Sequence, residues 1–156
     1  MGIRTYRNVP RVYVDMDDTL YDYSGYAHSK GAAPRDIRLW PGVYVQLRPL
    51  PGAREAIEEI LKRGYEVFVL TKISKDNPYS AAEKIVAIYR DFPEIQDHII
   101  ISPDKGAVGQ ARDYLVDDRP HWANANQFPG TVLAFEGDWQ AILAKLPAQL
   151  PMVVGA

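Results

Sequence analysis

The 156-residue chain contains no cysteine. That absence removes disulfides, zinc–thiolate sites and thiol nucleophiles in one step, and it fits a reducing cytoplasm. No apolar run approaches the roughly 18 to 20 residues that a membrane helix needs, and the N-terminus lacks the apolar core of a signal peptide. A soluble, cytoplasmic chain without a membrane partner is expected. The opening MGIRTY is basic and free of acid, but the first core strand begins near Val12, which leaves too little chain for a removable transit peptide. Tyr6 stands where a myristoylation signal needs Ser or Thr. An excess of one charge is missing too: 18 basic against 20 acidic residues give a net charge of −2, which excludes a global electrostatic drive toward polymeric nucleic acid. His28, His98 and His121 show no metal-ligand spacing and Ser24 has no triad partners, so zinc and serine hydrolase mechanisms are disfavoured.

What is present is acidic and local. In VYVDMDDTL (Val12 to Leu20) and YLVDDRP (Tyr114 to Pro120), carboxylates sit where apolar runs stop. Such runs read as buried parallel strands, and ligands of open α/β sheets bind beyond the carboxyl ends of those strands. Asp15 and Asp17 alternate along the end of the first run and can face one side; Asp117 and Asp118 come from a second strand laid nearby. Carboxylates converging in one crevice repel unless a divalent cation sits among them, which points to Mg²⁺.

The length suits one domain, residues 1–156. Strand one is expected over Val12 to Asp17, followed by a polar, aromatic insertion from Asp22 to Leu50. Pro51-Gly52 opens a helix with Ala53, Ala56, Ile57, Ile60 and Leu61 on one face and Gly64 at its end. Strand two spans Tyr65 to Thr71, and a helix after Pro78 carries Ala82, Ile85, Val86 and Tyr89 at helical spacing. Strands three, four and five are His98 to Ser102, Asp113 to Asp118 and Thr131 to Phe135, and a last helix runs from about Asp138 to Leu146. This alternation implies a mostly parallel α/β sheet of about five strands with helices on both faces and right-handed crossovers. The tail PAQLPMVVGA is expected to be loose or laid against the surface.

DMDDT at a strand end, Thr71 ending strand two, Lys105 after strand three and the acidic pair ending strand four form an ordered set. It resembles the haloacid dehalogenase superfamily of aspartate-nucleophile phosphatases. The resemblance implies a Rossmann-like three-layer sandwich, with Asp15 as nucleophile, Asp17 as general acid and base, and Lys105 as the charge-balancing lysine. It also implies Thr71 as phosphate ligand, with Thr19, Lys72 and Arg119 beside it in substrate binding, and Asp15, the carbonyl of Asp17, Asp118 and Asp117 around Mg²⁺. Asp18 reads as structural. A phospho-acceptor receiver module uses similar residue types, but there the lysine comes last, and here Lys105 precedes Asp117 and Asp118.

Three further stretches, LRPLPGAREAI, VFVLTKISKDNPYSAAEK, and IIISPDKG with YLVDDRPHWANANQF, resemble the 5'(3')-deoxyribonucleotidase family. That resemblance implies a small phosphomonoester as partner, a (deoxy)nucleoside monophosphate. The chain departs from the family in a cap of only about thirty residues (22–50), in Lys72 directly after Thr71, and in Ala87 where a Trp is expected. Tyr21, Tyr23, Tyr26, Trp40 and Tyr44 supply cap aromatics, and aromatic side chains stack on bases for roughly 1 to 3 kcal/mol each; Tyr23 and Trp40 are the expected base contacts. A homodimer, frequent among relatives, would supply missing cap surface in trans. Two alternatives stand beside this reading: a phosphatase for another small phosphomonoester, and a non-catalytic binding protein of the same fold.

Overall fold

The computed structural model describes residues 8–149; the readings of MGIRTY and of the tail beyond Gln149 lie outside them. Five strands form one sheet: β1 (Arg11–Val14), β2 (Glu66–Thr71), β3 (Ile99–Ile101), β4 (Tyr114–Asp117) and β5 (Thr131–Ala134). Their order is β3-β2-β1-β4-β5, and every pairing is parallel. Among the described residues six α-helices accompany them: α1 (Tyr23–Ser29), α2 (Pro34–Ile37), α3 (Val43–Gln46), α4 (Ala53–Lys62), α5 (Ser80–Asp91) and α6 (Trp139–Leu143). Among the described residues no helix is long and apolar enough to cross a membrane.

Connection handedness decides which face each segment covers. From β1 to β2 to β3 the chain steps one way across the sheet, and α4 and α5 lie on one face. Val12, Val14, Val67, Val69 and Val116 pack there against Ala56, Ile57 and Ile60 of α4 and Ala87 and Ile88 of α5. The chain then steps the other way to β4 and β5, so those connections cover the opposite face. There Tyr13, Phe68, Leu70 and Leu115 meet Ala125 and Phe128. This second layer differs from the expected helices. It carries only the 3₁₀ turns Lys105–Ala107 and Ala125–Gln127, because Pro103, Gly106, Gly109, Pro120, Pro129 and Gly130 interrupt both connections.

Helix α4 follows its pattern. Ala53, Ala56, Ile57 and Ile60 are buried, and Gly64 leaves the helix at φ +100°, a conformation costly for any residue with a Cβ. Helix α5 corrects its pattern. Its buried face is Ser80, Lys84, Ala87 and Ile88, while Ala82 is exposed and Val86 and Tyr89 are each 52 % exposed. The apolar spacing was real but marks the outer face, because the inner face spends one position on a buried lysine. Strand β1 likewise stops at Val14, short of Asp17, so Asp15 and Asp17 sit on a loop. Asp15 still continues the ladder by donating its N–H to the Val116 carbonyl at 3.0 Å. The Met16 carbonyl then accepts from Leu20 N at 2.9 Å and Tyr21 N at 3.0 Å, which closes the loop tightly.

The segment between β1 and α4 folds as α1, α2 and α3. Its Tyr23, Ala27, Ile37, Val43, Tyr44 and Leu47 are continuous with the main core. The start of the tail is laid against the domain, with Gln149 N donating to the Arg63 carbonyl at 2.8 Å.

Candidate active site

The carboxyl ends of β4, β1 and β2 are neighbours in the sheet, so Asp117, Asp15 and Thr71 emerge side by side. Lys105 reaches back from its 3₁₀ turn and bridges two of them. Its Nζ donates to Asp15 Oδ1 at 2.8 Å and to Asp117 Oδ2 at 2.7 Å, with Lys105 only 4 % exposed. Asp104 holds this turn by accepting from Gly106 N at 2.9 Å and Asn124 Nδ2 at 2.9 Å. Burial opposes the Lys105 charge, but Asp15 and Asp117 outweigh it and leave the ammonium above its ordinary pKa.

Asp117 is spoken for at both oxygens, the second accepting from Arg119 N at 2.8 Å. Asp118 is less constrained: Thr19 Oγ1 donates to it at 3.3 Å. Burial first, then Asp15, pushes Asp118 up to about 8. Burial and Asp15 also raise Asp117. Asp15, Asp117 and Asp118 each offer an oxygen within 4.8 Å of the others. The donor set is oxygen only, without imidazole or thiolate, which suits a hard divalent cation. The single lysine leaves negative charge uncompensated, so the residues present fit such an ion.

A raised carboxyl pKa has a defined consequence for stability. Asp118 resists ionisation in the folded state, so stability is full below the ordinary carboxylate range and is lost as pH rises toward 8. We expect the metal-free melting temperature to fall between about pH 5 and about pH 8.5, and added Mg²⁺ to raise it more at the upper value. A melting curve series with and without Mg²⁺ checks this; equal Mg²⁺ shifts at both pH values would refute it.

Asp17 lies apart from that cluster. Its Oδ2 accepts from Lys84 Nζ at 3.3 Å, and its Oδ1 is buried with no hydrogen-bond partner among the described residues. Burial raises its pKa, against the opposing pull of Lys84. Lys84, 2 % exposed, also donates to Thr71 Oγ1 and to the Lys72 carbonyl, both at 2.9 Å. Sequence reasoning missed this residue. The available signal was its place in line with Ser80, Ala87 and Ile88, where small and apolar neighbours mark an inward face.

The other expected site residues separate into contacts and packing. Thr19 is fully buried, and its carbonyl accepts from Trp139 Nε1 at 3.0 Å, so it serves Asp118 rather than open space. The Lys72 side chain is exposed and only its carbonyl enters the network. Asp18, at φ +57°, accepts from Ser24 N at 2.7 Å and Ser24 Oγ at 2.5 Å, a structural role. Tyr23 is buried, stacked on Tyr44 at 6.0 Å between ring centroids, with its hydroxyl on the Pro34 carbonyl. It packs the 22–50 segment and offers no open ring face. Trp40 is 38 % exposed. Arg119 lies 3.9 Å from Asp118 and 5.2 Å from the centroid of Trp122, itself 66 % exposed.

This geometry coincides with a family assignment. The family model described as 5' nucleotidase, deoxy (pyrimidine), cytosolic type C protein matches residues 37–142. The chain belongs to this family of nucleotidases, which are phosphatases. It is 32 % identical to the human mitochondrial 5'(3')-deoxyribonucleotidase, over 76 % of this chain and 66 % of that protein. A putative 5'(3')-deoxyribonucleotidase of Vibrio phage KVP40 is 26 % identical, over 90 % of this chain and 86 % of its own. The chain thus spans about two-thirds of the human relative's length and most of the phage one's. Among solved structures, a haloacid dehalogenase-like hydrolase from Xanthomonas campestris superposes with a TM-score of 0.56 at 14 % identity, covering 96 % of this chain and 89 % of the other. The α/β architecture is that of the haloacid dehalogenase-like hydrolases.

Proposed function

We propose that the chain is a Mg²⁺-dependent 5'(3')-deoxyribonucleotidase that releases phosphate from (deoxy)nucleoside monophosphates through an aspartyl-phosphate. The observation that carries this reading is Asp15 held by Lys105 beside Asp117 and Asp118, with a second carboxylate, Asp17, two residues on and one of its oxygens unpartnered.

Asp15 attacks phosphorus: a bond forms between its carboxylate oxygen and phosphorus, and the bond from phosphorus to the sugar oxygen breaks. Asp17 gives its proton to that departing oxygen, then takes a proton from the water that attacks the aspartyl-phosphate and restores Asp15. Thr71 and backbone N–H groups after Asp15 hold the phosphoryl oxygens. Lys105 offsets the like charges of carboxylate and phosphate. Asp15, Asp117, Asp118 and the Asp17 carbonyl would hold Mg²⁺, which when bound adds positive charge against the phosphoryl oxygens. The single domain carries residues 22–50 as a reduced cap over this site. With Tyr23 and Tyr44 packed inward, that cap leaves Trp40, Arg119 and Trp122 as the groups open to a substrate, which also favours a second reading as a phosphatase for another small phosphomonoester.

The test is phosphate release from deoxyribo- and ribonucleoside 5'- and 3'-monophosphates and p-nitrophenyl phosphate, with and without Mg²⁺. Mg²⁺-dependent turnover that favours deoxynucleotides is expected. Turnover of p-nitrophenyl phosphate alone would keep the phosphatase and discard the substrate class.

A further inference from the structure

We propose that Lys84 is a positioning residue for the hydrolysis, holding the proton-transfer carboxylate and the phosphate-binding hydroxyl with one buried cation; this rests on the reading above. An ammonium has three donors and no acceptor. All three are used within the site: Thr71 Oγ1 at 2.9 Å, the Lys72 carbonyl at 2.9 Å and Asp17 Oδ2 at 3.3 Å.

Each contact has a directional consequence. By donating to Thr71 Oγ1, Lys84 fills an acceptor position of that hydroxyl and turns its proton away from the ammonium. The proton goes to the Lys72 carbonyl in a long bond of 3.4 Å, to an oxygen that Lys84 also holds. A charged phosphoryl oxygen is the stronger acceptor and would draw it over. By binding Oδ2 of Asp17, Lys84 fixes the plane of the carboxylate and with it the direction in which its proton can move, since Oδ1 is buried without a partner among the described residues. The same ammonium lies 4.8 Å from the Tyr44 ring centroid, and its neighbour Glu83 accepts from Tyr44 N at 3.2 Å. Cap and proton-transfer group are thus held by adjacent residues of one helix.

A purely structural lysine would affect all substrates alike. A lysine acting through Asp17 affects most the esters whose leaving oxygen needs a proton. A sugar alkoxide needs one, whereas p-nitrophenolate departs largely without it. For Lys84→Met we expect kcat/KM, which reports the step that expels the leaving oxygen and not the later hydrolysis that both esters share, to fall about 100-fold on a deoxynucleoside monophosphate and under about 10-fold beyond any common binding loss on p-nitrophenyl phosphate, the scale of general acid catalysis. KM should rise by a similar factor for both, through Thr71. In an Asp17→Asn background the same substitution should change nucleotide kcat/KM by under about 3-fold beyond that common loss, because coupled residues are not additive.

Lys84→Arg keeps the charge but cannot place three donors on these acceptors, so it should show the same split between esters if the Met variant does not fold. Equal losses on both esters, or a full loss repeated in the Asp17→Asn background, would overturn the role. A wild-type chain that cleaves neither ester removes the hydrolase reading and this role together. A wild type that cleaves both, with variants losing both alike, removes this role alone.

Discussion

Asp15→Asn is expected to abolish phosphate release while leaving the fold intact. The substitution keeps the shape of the side chain but removes the nucleophilic carboxylate, and losses of a covalent nucleophile exceed roughly 10³-fold in kcat. Asp15 is only 13 % exposed at its side chain, and its Oδ1 lies 2.8 Å from Lys105; an amide oxygen can still accept that bond. The melting temperature should therefore move little. Steady-state phosphate release and a thermal melt on the same preparation check both halves. Residual turnover within about tenfold of wild type on every ester would place the nucleophile elsewhere.

Lys105→Met should have the largest effect on stability. Removing one partner of a buried ion pair costs about 3 to 5 kcal/mol, because the other charge is left uncompensated. Here two carboxylates, Asp15 and Asp117, would be left facing each other. The pH dependence follows from the signs. Lys105 has a raised pKa in the folded protein, so its contribution is fully present below about 10.5 and is lost only as pH rises beyond that. At neutral pH the variant therefore suffers the whole loss. Burial and Asp15 already raise Asp117, so acidification neutralises that stranded carboxyl and the difference from wild type should shrink as pH falls. Mg²⁺, attracted to the same oxygens, should restore part of it at neutral pH. Denaturant unfolding at several pH values reads this directly; a pH-independent difference would assign the loss to packing instead.

The sheet was legible because its central strands are buried on both faces and so read as continuous apolar runs. VYV, EVFVLT and YLVD appear at β1, β2 and β4, with the end of β2 at Thr71 as expected and the other ends moved by one to three residues. Part of the candidate site was legible from its order along the chain: Asp15 and Asp117 meet at Lys105, and Thr71 ends the neighbouring strand, bonded to Lys84. Three features were not. Lys84 escaped because a lysine in an amphipathic helix ordinarily marks the solvent side, and here a carboxylate, a hydroxyl and a carbonyl replace water around it. The same substitution of roles inverted the reading of α5, whose Val86 and Tyr89 face outward. Tyr23 and Trp40 were grouped by ring chemistry, yet burial separates them, since the short α1 and α3 need Tyr23 and Tyr44 for their own packing. The second face carries turns where helices were expected, because strand order alone says which face a connection takes, not whether its residues can coil.

The main-chain bond from Asp15 to Val116 has a consequence beyond loop closure. It ties the first residue past β1 to the adjoining strand, so the gap between Asp15 and Asp117 is a gauge cut by peptide geometry, close to the ~4.8 Å that separates any two paired strands. Side-chain replacements around the crevice can change which charge fills that gauge, but not its width. A cation held there would meet two of its carboxylates on backbones whose spacing the sheet sets, and the side-chain torsions of Asp15, Asp117 and Asp118 would make the remaining adjustment to its size.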